Sequence, residues 1–333
     1  MAKDYTNQHI VPKRYLDRFG RKDGKRTIIG TRIVSKGNVK FFEDSTENVG
    51  YIKNYYDVTD KTDPKYWEHY FAREIDTLCG QDMENIIAKV TLSCPNVAVL
   101  SVHDKEVLSK LIIAQMMRIP KSIDYVKTVL YPRVSAQVKE DLISALPPAF
   151  VEKHVVQIMN TEFSEQDQKE LMLNHSFEPA NFGRYCDVLQ AGVWVVYVNM
   201  HRDTMPFLTS DNPVLVEGVG SKYIGLFHNG LANPATCIFY PLSPRIAVAI
   251  YSRQGILGFV ADKYDGRKIL LDEVKYIMSR NVKIMAQAYC HSFIPQPLYD
   301  EIARDSSRRS LVMAAQDLSV AEGRREVANP LRR

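Results

Sequence analysis

Apolar positions along the chain follow two periods, and the change between them falls near residue 180. From Asp63-Pro64 onward Trp67, Phe71, Ile75 and Leu78, then Met83, Ile86, Ile87 and Val90, recur every three or four residues. That is the stripe of an amphipathic helix, closed by Cys94-Pro95. His103 to Leu130 repeats the pattern through Val107, Leu108, Leu111, Ile112, Met116 and Met117. A split or kink is expected at Pro120, which removes a hydrogen bond from the ladder. Further helical pattern covers Val138 to Leu146, Pro148 to Met159 and Glu165 to Leu173. Beyond residue 180 the chain turns to strands. Gly192 to Met200 is a dense β-branched run, and Phe207 to Thr209, Val214 to Val216, Thr236 to Tyr240 and Ile246 to Tyr251 follow between Pro and Gly turns. This spacing predicts an antiparallel sheet rather than βαβ units. Residues 271–281 read as a closing helix, with Lys283 to Tyr289 continuing it or adding a last strand.

Ahead of the helices, Arg26 to Val34 and Gly37 to Phe42 flank a Ser-Lys-Gly turn and predict a hairpin. Before it, Pro12 to Phe19 predicts a short helix opened by proline and closed by Gly20, with Tyr15, Leu16 and Phe19 on one face. The expected fold class is therefore α+β: a helical middle region packed on a mostly antiparallel β-sheet, with an N-terminal β-hairpin. We expect one compact domain over residues 1–300, made of a β-rich segment 1–62, a helical region 63–180 and a sheet region 181–300. Residues 301–333, with Arg308-Arg309, Arg324-Arg325 and Arg332-Arg333, are expected to form a basic tail.

Composition narrows the function classes. The 333 residues are 45% hydrophobic and 25% charged, as in ordinary globular proteins, and the net charge of +4 permits nucleic-acid contact without demanding it. No apolar run approaches the ~20 residues that cross a bilayer. The polar start Met1-Ala2-Lys3-Asp4-Tyr5 lacks the apolar core of a signal peptide. The five cysteines are odd in number and none is paired at zinc-knuckle or redox spacing, which reads as reduced thiols in the cytoplasm. Phosphate-loop, dinucleotide-binding, zinc-protease and nucleophile-elbow motifs are absent.

What remains is a set of polar residues in apolar surroundings. Gln8-His9-Ile10-Val11-Pro12 offers a histidine at a helix start, either as acid/base or as a hydrogen bond to the first turn. Gln115 and Arg118 stand three apart on an otherwise apolar helix and so face the same way. A buried guanidinium needs a partner, either an anionic ligand or an internal carboxylate such as Glu74 or Glu84. Ser210, Asp211 and Asn212 sit at a strand end, where catalytic carboxylates occur and where ordinary turns also form. Tyr240 to Arg245 reads as a structural corner, and Ser279-Arg280-Asn281 as a polar helix end. Tyr55-Tyr56 with Lys36, Lys40 and Lys53 could stack on and pair with a nucleic acid.

In order along the chain, Gln8-His9-Ile10-Val11-Pro12-x-x-Tyr15-Leu16-x-x-Phe19, Asn54-Tyr55-Tyr56, Gln115-x-x-Arg118-x-Pro120, Thr209 to Pro213 and Tyr240 to Pro244 resemble the bacterial and fungal proteins grouped as domain of unknown function 4238. The resemblance runs from about residue 7 to about residue 292. It implies a shared fold, a shared pocket and acidic residues on the helix after Tyr55-Tyr56, a place that Glu68 and Glu74 fill, followed by Asp82 or Glu84. The expected activity is phosphodiester hydrolysis by a nuclease of a bacterial toxin or phage-defence type. In it His9 is acid or base, Arg118 stabilises the phosphorane, and Asp211 with Glu74 orients His9 or holds Mg2+ or Mn2+. Gln8, Gln115, Ser210, Asn212 and Tyr56 are expected to bind substrate. Alternatives are a sensor module binding an anionic ligand, and a serine hydrolase with Ser210 as nucleophile and His9 as base. Catalysis requires that His9, Arg118 and Asp211 meet in one cleft.

Overall fold

The computed structural model describes residues 6–35, 38–58, 63–125, 131–160, 162, 164–218, 230–255 and 258–304. It is an α+β protein. A two-stranded ribbon joins β1 (Asn7–His9) to β5 (Tyr51–Lys53). One five-stranded sheet runs β2 (Arg21–Asp23), β3 (Arg26–Ser35), β12 (His291–Ile294), β7 (Thr209–Ser210), with β4 (Asn38–Ser45) on β3. The β3–β4 pair is the expected hairpin, and its turn residues 36–37, Lys36 among them, lie outside the described residues. A second sheet has the order β11 (Arg267–Leu271), β6 (Val193–Asn199), β10 (Ile246–Tyr251), β9 (Thr236–Pro241), β8 (Leu215–Gly218), all antiparallel except β11 on β6.

Both faces of the second sheet are covered, which is why β6 reads as a continuous apolar run rather than an alternation. Trp194, Val196, Val198, Ile238, Val248 and Ile250 enter the main core with the helices. Their strand neighbours Cys237, Phe239, Ala247 and Ala249 pack on the other side against Ile277 and Ile284 of the closing helix Val274–Gln287. That helix runs through residues 283–287, so the continuation rather than a strand is what forms.

The helical layer begins with α1 (Lys13–Leu16), shorter than expected but opened by Pro12. The stretch expected as one helix from residue 63 is interrupted. It contains α2 (Tyr66–Tyr70), a π turn over Phe71–Ile75, a 3₁₀ turn over Asp76–Cys79, and α3 (Gln81–Leu92) after Gly80. Next come α4 (Val102–Met117) and α5 (Pro120–Tyr125), split at Pro120 as expected, then α6 (Tyr131–Ala145), α7 (Pro148–Asn160) and α8 (Glu165–Phe177). A further helix, α9 (Pro179–Gln190), occupies the place where the expected β region was to begin, and it packs on α4. Its Phe182, Cys186 and Leu189 follow helical spacing behind a proline at the first turn, so the helix is written in the sequence ahead of the β-branched run. A C-terminal helix, Gln296–Arg304, is likewise new; the arginine pairs beyond it lie outside the described residues. Among the described residues no helix is long and apolar enough to cross a membrane.

Candidate functional site

Backbone pairing places the N-terminal segment. Gly50, with φ +70, adopts the left-handed turn that suits glycine, and its carbonyl accepts from the N–H groups of Ile10 (2.9 Å) and Val11 (3.3 Å). This holds β1 on β5 with His9 opposite Tyr51 and Asn7 opposite Lys53. Because side chains alternate along a strand, Gln8 points inward and His9 the other way. Gln8 is fully buried: its Oε1 accepts the Tyr56 N–H and its Nε2 donates to Asp57 Oδ1 at 2.5 Å. Asp57 also pairs with Lys65 at 2.8 Å. Gln8 is therefore a tie between β1 and the Tyr55-Tyr56 turn, with no polar atom left for substrate.

His9 is different. Its ring meets Tyr51 edge-on at 5.9 Å, and its Nε2 is buried with no hydrogen-bond partner. Burial lowers its pKa below the ordinary histidine value; a backbone hydrogen bond to Thr46 and the Asp76 charge resist, while Arg118 and Lys13 reinforce the shift. At neutral pH the ring is uncharged.

Arg118 caps α4, where the approach of Pro120 ends the helix. It is 0% exposed. Its Nε donates to the Ile10 carbonyl (3.2 Å), the same oxygen that Gln115 Nε2 reaches at 2.8 Å, so the two do share a face. One Nη donates to Asp76 Oδ1 at 2.8 Å, the guanidinium lies 5.3 Å over the Phe71 ring, and the other Nη is buried without a partner. Burial opposes the charge, but the Asp76 carboxylate more than offsets it and the Arg118 pKa rises. Tyr56 donates its hydroxyl to the Arg118 carbonyl (3.1 Å), satisfying a helix-end acceptor. Gln115 and Tyr56 thus hold the scaffold rather than a substrate.

The acidic partner is Asp76, not Glu74 or Glu84. Glu74 has a side chain 49% exposed and pairs with Arg73 at 2.6 Å; Glu84 is exposed on α3. On a regular α-helix of ~3.6 residues per turn, Glu68 and Asp76 would stand about 80° apart. A π turn lies between them, of a kind often found at working sites, and the Asp76 charge reaches Glu68. Burial, followed by the Asp76 charge, pushes the Glu68 carboxyl up to about 7 against the pull of Arg118, His69 and Lys65. Glu68 finds no hydrogen-bond partner among the described residues. The buried Cys79 thiol beside the pair is pushed up to about 12, first by burial and then by Asp76.

Asp211 is not part of this cluster, so the expected meeting of His9, Arg118 and Asp211 in one cleft does not form. It is 0% exposed, and its carboxylate accepts the N–H groups of Tyr289, Cys290 and His291, each at 2.7 Å, with His291 Nδ1 at 3.5 Å. It anchors the entry to β12 and pairs with His291 instead of orienting His9. Ser210 Oγ is buried and accepts the Asn212 N–H (3.2 Å), so the serine-hydrolase alternative lacks its contact with His9. Asn212 exchanges hydrogen bonds with Gln287 at 3.1 and 2.7 Å. With Asp211 used by backbone and Glu74 on the surface, the expected metal holders are apart. Among the described residues no group of three or more His, Cys, Asp or Glu is placed to hold a metal ion.

The remaining motifs meet at Tyr15, whose hydroxyl contacts Thr209 Oγ1 (2.8 Å) and donates to the Pro241 carbonyl (2.7 Å), with its ring stacked on Tyr240 at 5.2 Å. Asn281, in mid-helix rather than at a helix end, clamps Pro206 O and Leu208 N at 2.8 and 3.0 Å.

Fold and site define an α+β protein whose N-terminal ribbon, interrupted helix and α4 end bring together a half-buried histidine, a buried arginine and two half-buried carboxylates. The chain belongs to the family described as protein of unknown function (DUF4238), whose model matches residues 7–263. Comparisons with curated proteins and with solved structures each returned no match. The matched span includes His9, Glu68, Asp76 and Arg118 and stops short of His291.

Proposed function

We propose that this protein is a phosphodiester hydrolase, a nuclease of a bacterial toxin or phage-defence type working in the cytoplasm, with Glu68 as acid and His9 as base. One observation carries the reading: a neutral His9 with an unpartnered Nε2 and a Glu68 that keeps its proton to about 7 share the field of one pair, buried Arg118 with half-buried Asp76. Two titratable groups pushed apart by their surroundings are the usual basis of an acid/base assignment. Arg118 is sealed, so it acts by its charge and by holding Asp76. Lys13 is half-exposed and its charge reaches His9, but it is paired with Asp17 at 3.1 Å and Glu47 at 3.8 Å, so it would meet a phosphate only by exchanging those partners. Free cysteines, four of them buried, fit a reducing compartment.

Purified protein incubated with labelled RNA and DNA, with and without magnesium or manganese, tests this. We expect cleavage that falls 10²-fold or more in His9→Ala and in Glu68→Gln, in line with a typical ~10²–10⁴ for acid/base groups. Equal cleavage by the variants, or none by the wild type, removes the proposal. The full closure of Arg118 against Asp76 weighs against catalysis and leaves a second reading, a non-catalytic sensor or interaction module in which His9 rather than Arg118 would meet an anionic ligand. Stabilisation by inorganic phosphate or a nucleotide in a thermal-shift assay, with no turnover, would select it.

A further inference from the structure

We propose that the outer edge of β4 pairs antiparallel with β4 of a second copy of this chain, joining two sheets edge to edge. β4 is eight residues long, Asn38–Ser45, and pairs with β3 and with no other described strand. It contains neither proline nor glycine, the residues that usually interrupt an edge. A strand of that length at a sheet edge is a template for another chain unless something blunts it.

The register fixes which backbone groups face outward. Val34 N–H donates to the Cys290 carbonyl at 3.0 Å, so the even-numbered residues of β3 bond to β12 and the odd-numbered ones to β4. The bond from Thr46 N–H to the Thr27 carbonyl, 2.9 Å, keeps the same phase. Through the pairs Ile33–Lys40, Thr31–Phe42 and Ile29–Asp44, the even-numbered residues of β4 turn their N–H and C=O groups to β3. Val39, Phe41 and Glu43 turn theirs the other way.

A two-fold axis perpendicular to the sheet keeps equivalent side chains on one face, so even-numbered positions must meet even-numbered ones. One register is complementary in charge. It sets Phe42 opposite Phe42 of the second copy, Lys40 opposite its Asp44, and Asp44 opposite its Lys40. Glu43 and Phe41 become the hydrogen-bonded pair across the joint. Sliding two residues either way sets Lys40 against Phe42, or Glu43 against its own equivalent. Lys40 is exposed and forms no salt bridge among the described residues. Alone, such a charge blunts an edge, because a further strand would bury it unpaired. The second copy supplies the missing carboxylate. Asp44 is suited to this: its Oδ1 accepts from Ser45 N–H at 2.7 Å and from Asn48 Nδ2 at 2.8 Å, which leaves Oδ2 for the lysine. Opposite charges and paired rings at facing positions both favour the joint. None of these residues has a part in the nuclease reading.

The test uses the full chain. Light scattering during size exclusion should give twice the chain's mass. Lys40→Asp and Asp44→Lys each set like charges opposite at both ends of the joint, and each should weaken the dimer about ten-fold or more. Mixed in equal amounts, the two variants make every facing pair Asp–Lys again, and a heterodimer should form. Glu43→Pro probes the backbone instead. Its N–H faces outward, so proline leaves the β3–β4 ladder intact, and we expect a normal melting temperature with the dimer lost. The proposal is overturned by a wild type that stays monomeric or by a dimer that survives Lys40→Asp or Glu43→Pro. It is equally overturned by a mixture of the charge variants that stays monomeric while each melts normally.

Discussion

At the scale of single residues, the cluster makes Glu68 a group that is more comfortable neutral than charged. Its folded-state pKa of about 7 lies above the ordinary glutamate value of ~4.3. Between those pH values the folded protein holds a proton that the unfolded chain has released, so stability falls as pH rises through the window and levels off above it. Glu68→Gln removes that cost. Its melting temperature should match the wild type near pH 4 and exceed it at pH 8 by on the order of a few degrees; a lower melting temperature at pH 8 would contradict the burial argument. The charges that reach Glu68 are those of Asp76, Arg118, His69 and Lys65. Because Asp76 holds the carboxyl up, Asp76→Asn should move the alkaline limb of the cleavage profile to lower pH. A purely structural role for Asp76 would change the amplitude and leave the limb in place. Arg118→Ala leaves the Asp76 carboxylate without its buried partner. Calorimetry or denaturant titration should show a loss of about 3–5 kcal/mol, the usual result of breaking a buried pair from one side.

At the scale of elements, regular pattern was legible and irregular backbone was not. The stripe Trp67, Phe71, Ile75 and Val90 marks a helical stretch correctly because all four are buried. It hides the π and 3₁₀ turns, since an extra residue in one turn leaves apolar spacing nearly intact. The expected internal partners of Arg118 were Glu74 or Glu84, while the carboxylate that arrives is Asp76, an acid set among Ile75, Leu78 and Cys79. An acidic residue inside an apolar stripe was the available signal. Asp211 shows the opposite failure: a polar turn at a strand end resembles a site, yet which N–H groups it will satisfy depends on Tyr289 to His291, nearly 80 residues away. Its carboxylate fixes the loop that enters β12, so Asp211→Ala should orphan three N–H donors, that of Cys290 buried and those of Tyr289 and His291 half-buried. We expect a loss of at least 3 kcal/mol in a urea titration, from roughly 1–3 kcal/mol per unsatisfied group. If the variant stays as stable as the wild type and loses only cleavage, Asp211 belongs to chemistry after all.

At the scale of the whole molecule, the three expected regions are not laid side by side but woven. β3, from the first segment, pairs with β12 near the end of the described chain, and β12 in turn pairs with β7. Tyr15 ties the first segment to Thr209 and Pro241, and Arg118 ties the helical layer to Ile10. Neither the first segment nor the helical layer can leave without breaking buried hydrogen bonds in another, which argues that residues 1–300 unfold as one unit. The two tryptophans make this measurable. Trp67 packs on Phe71 and Phe177 in the helical layer, whereas Trp194 lies in β6 with its Nε1 bonded to Leu189 O at 2.9 Å. Trp194→Phe leaves a reporter in the helices and Trp67→Phe leaves one in the sheet. If the regions are one cooperative unit, fluorescence and far-ultraviolet circular dichroism should give coincident transitions within each variant. A helical reporter that melts before the bulk ellipticity of its own variant would show that the layer carrying Glu68 and Asp76 opens independently of the sheets, and the single-unit expectation would fall.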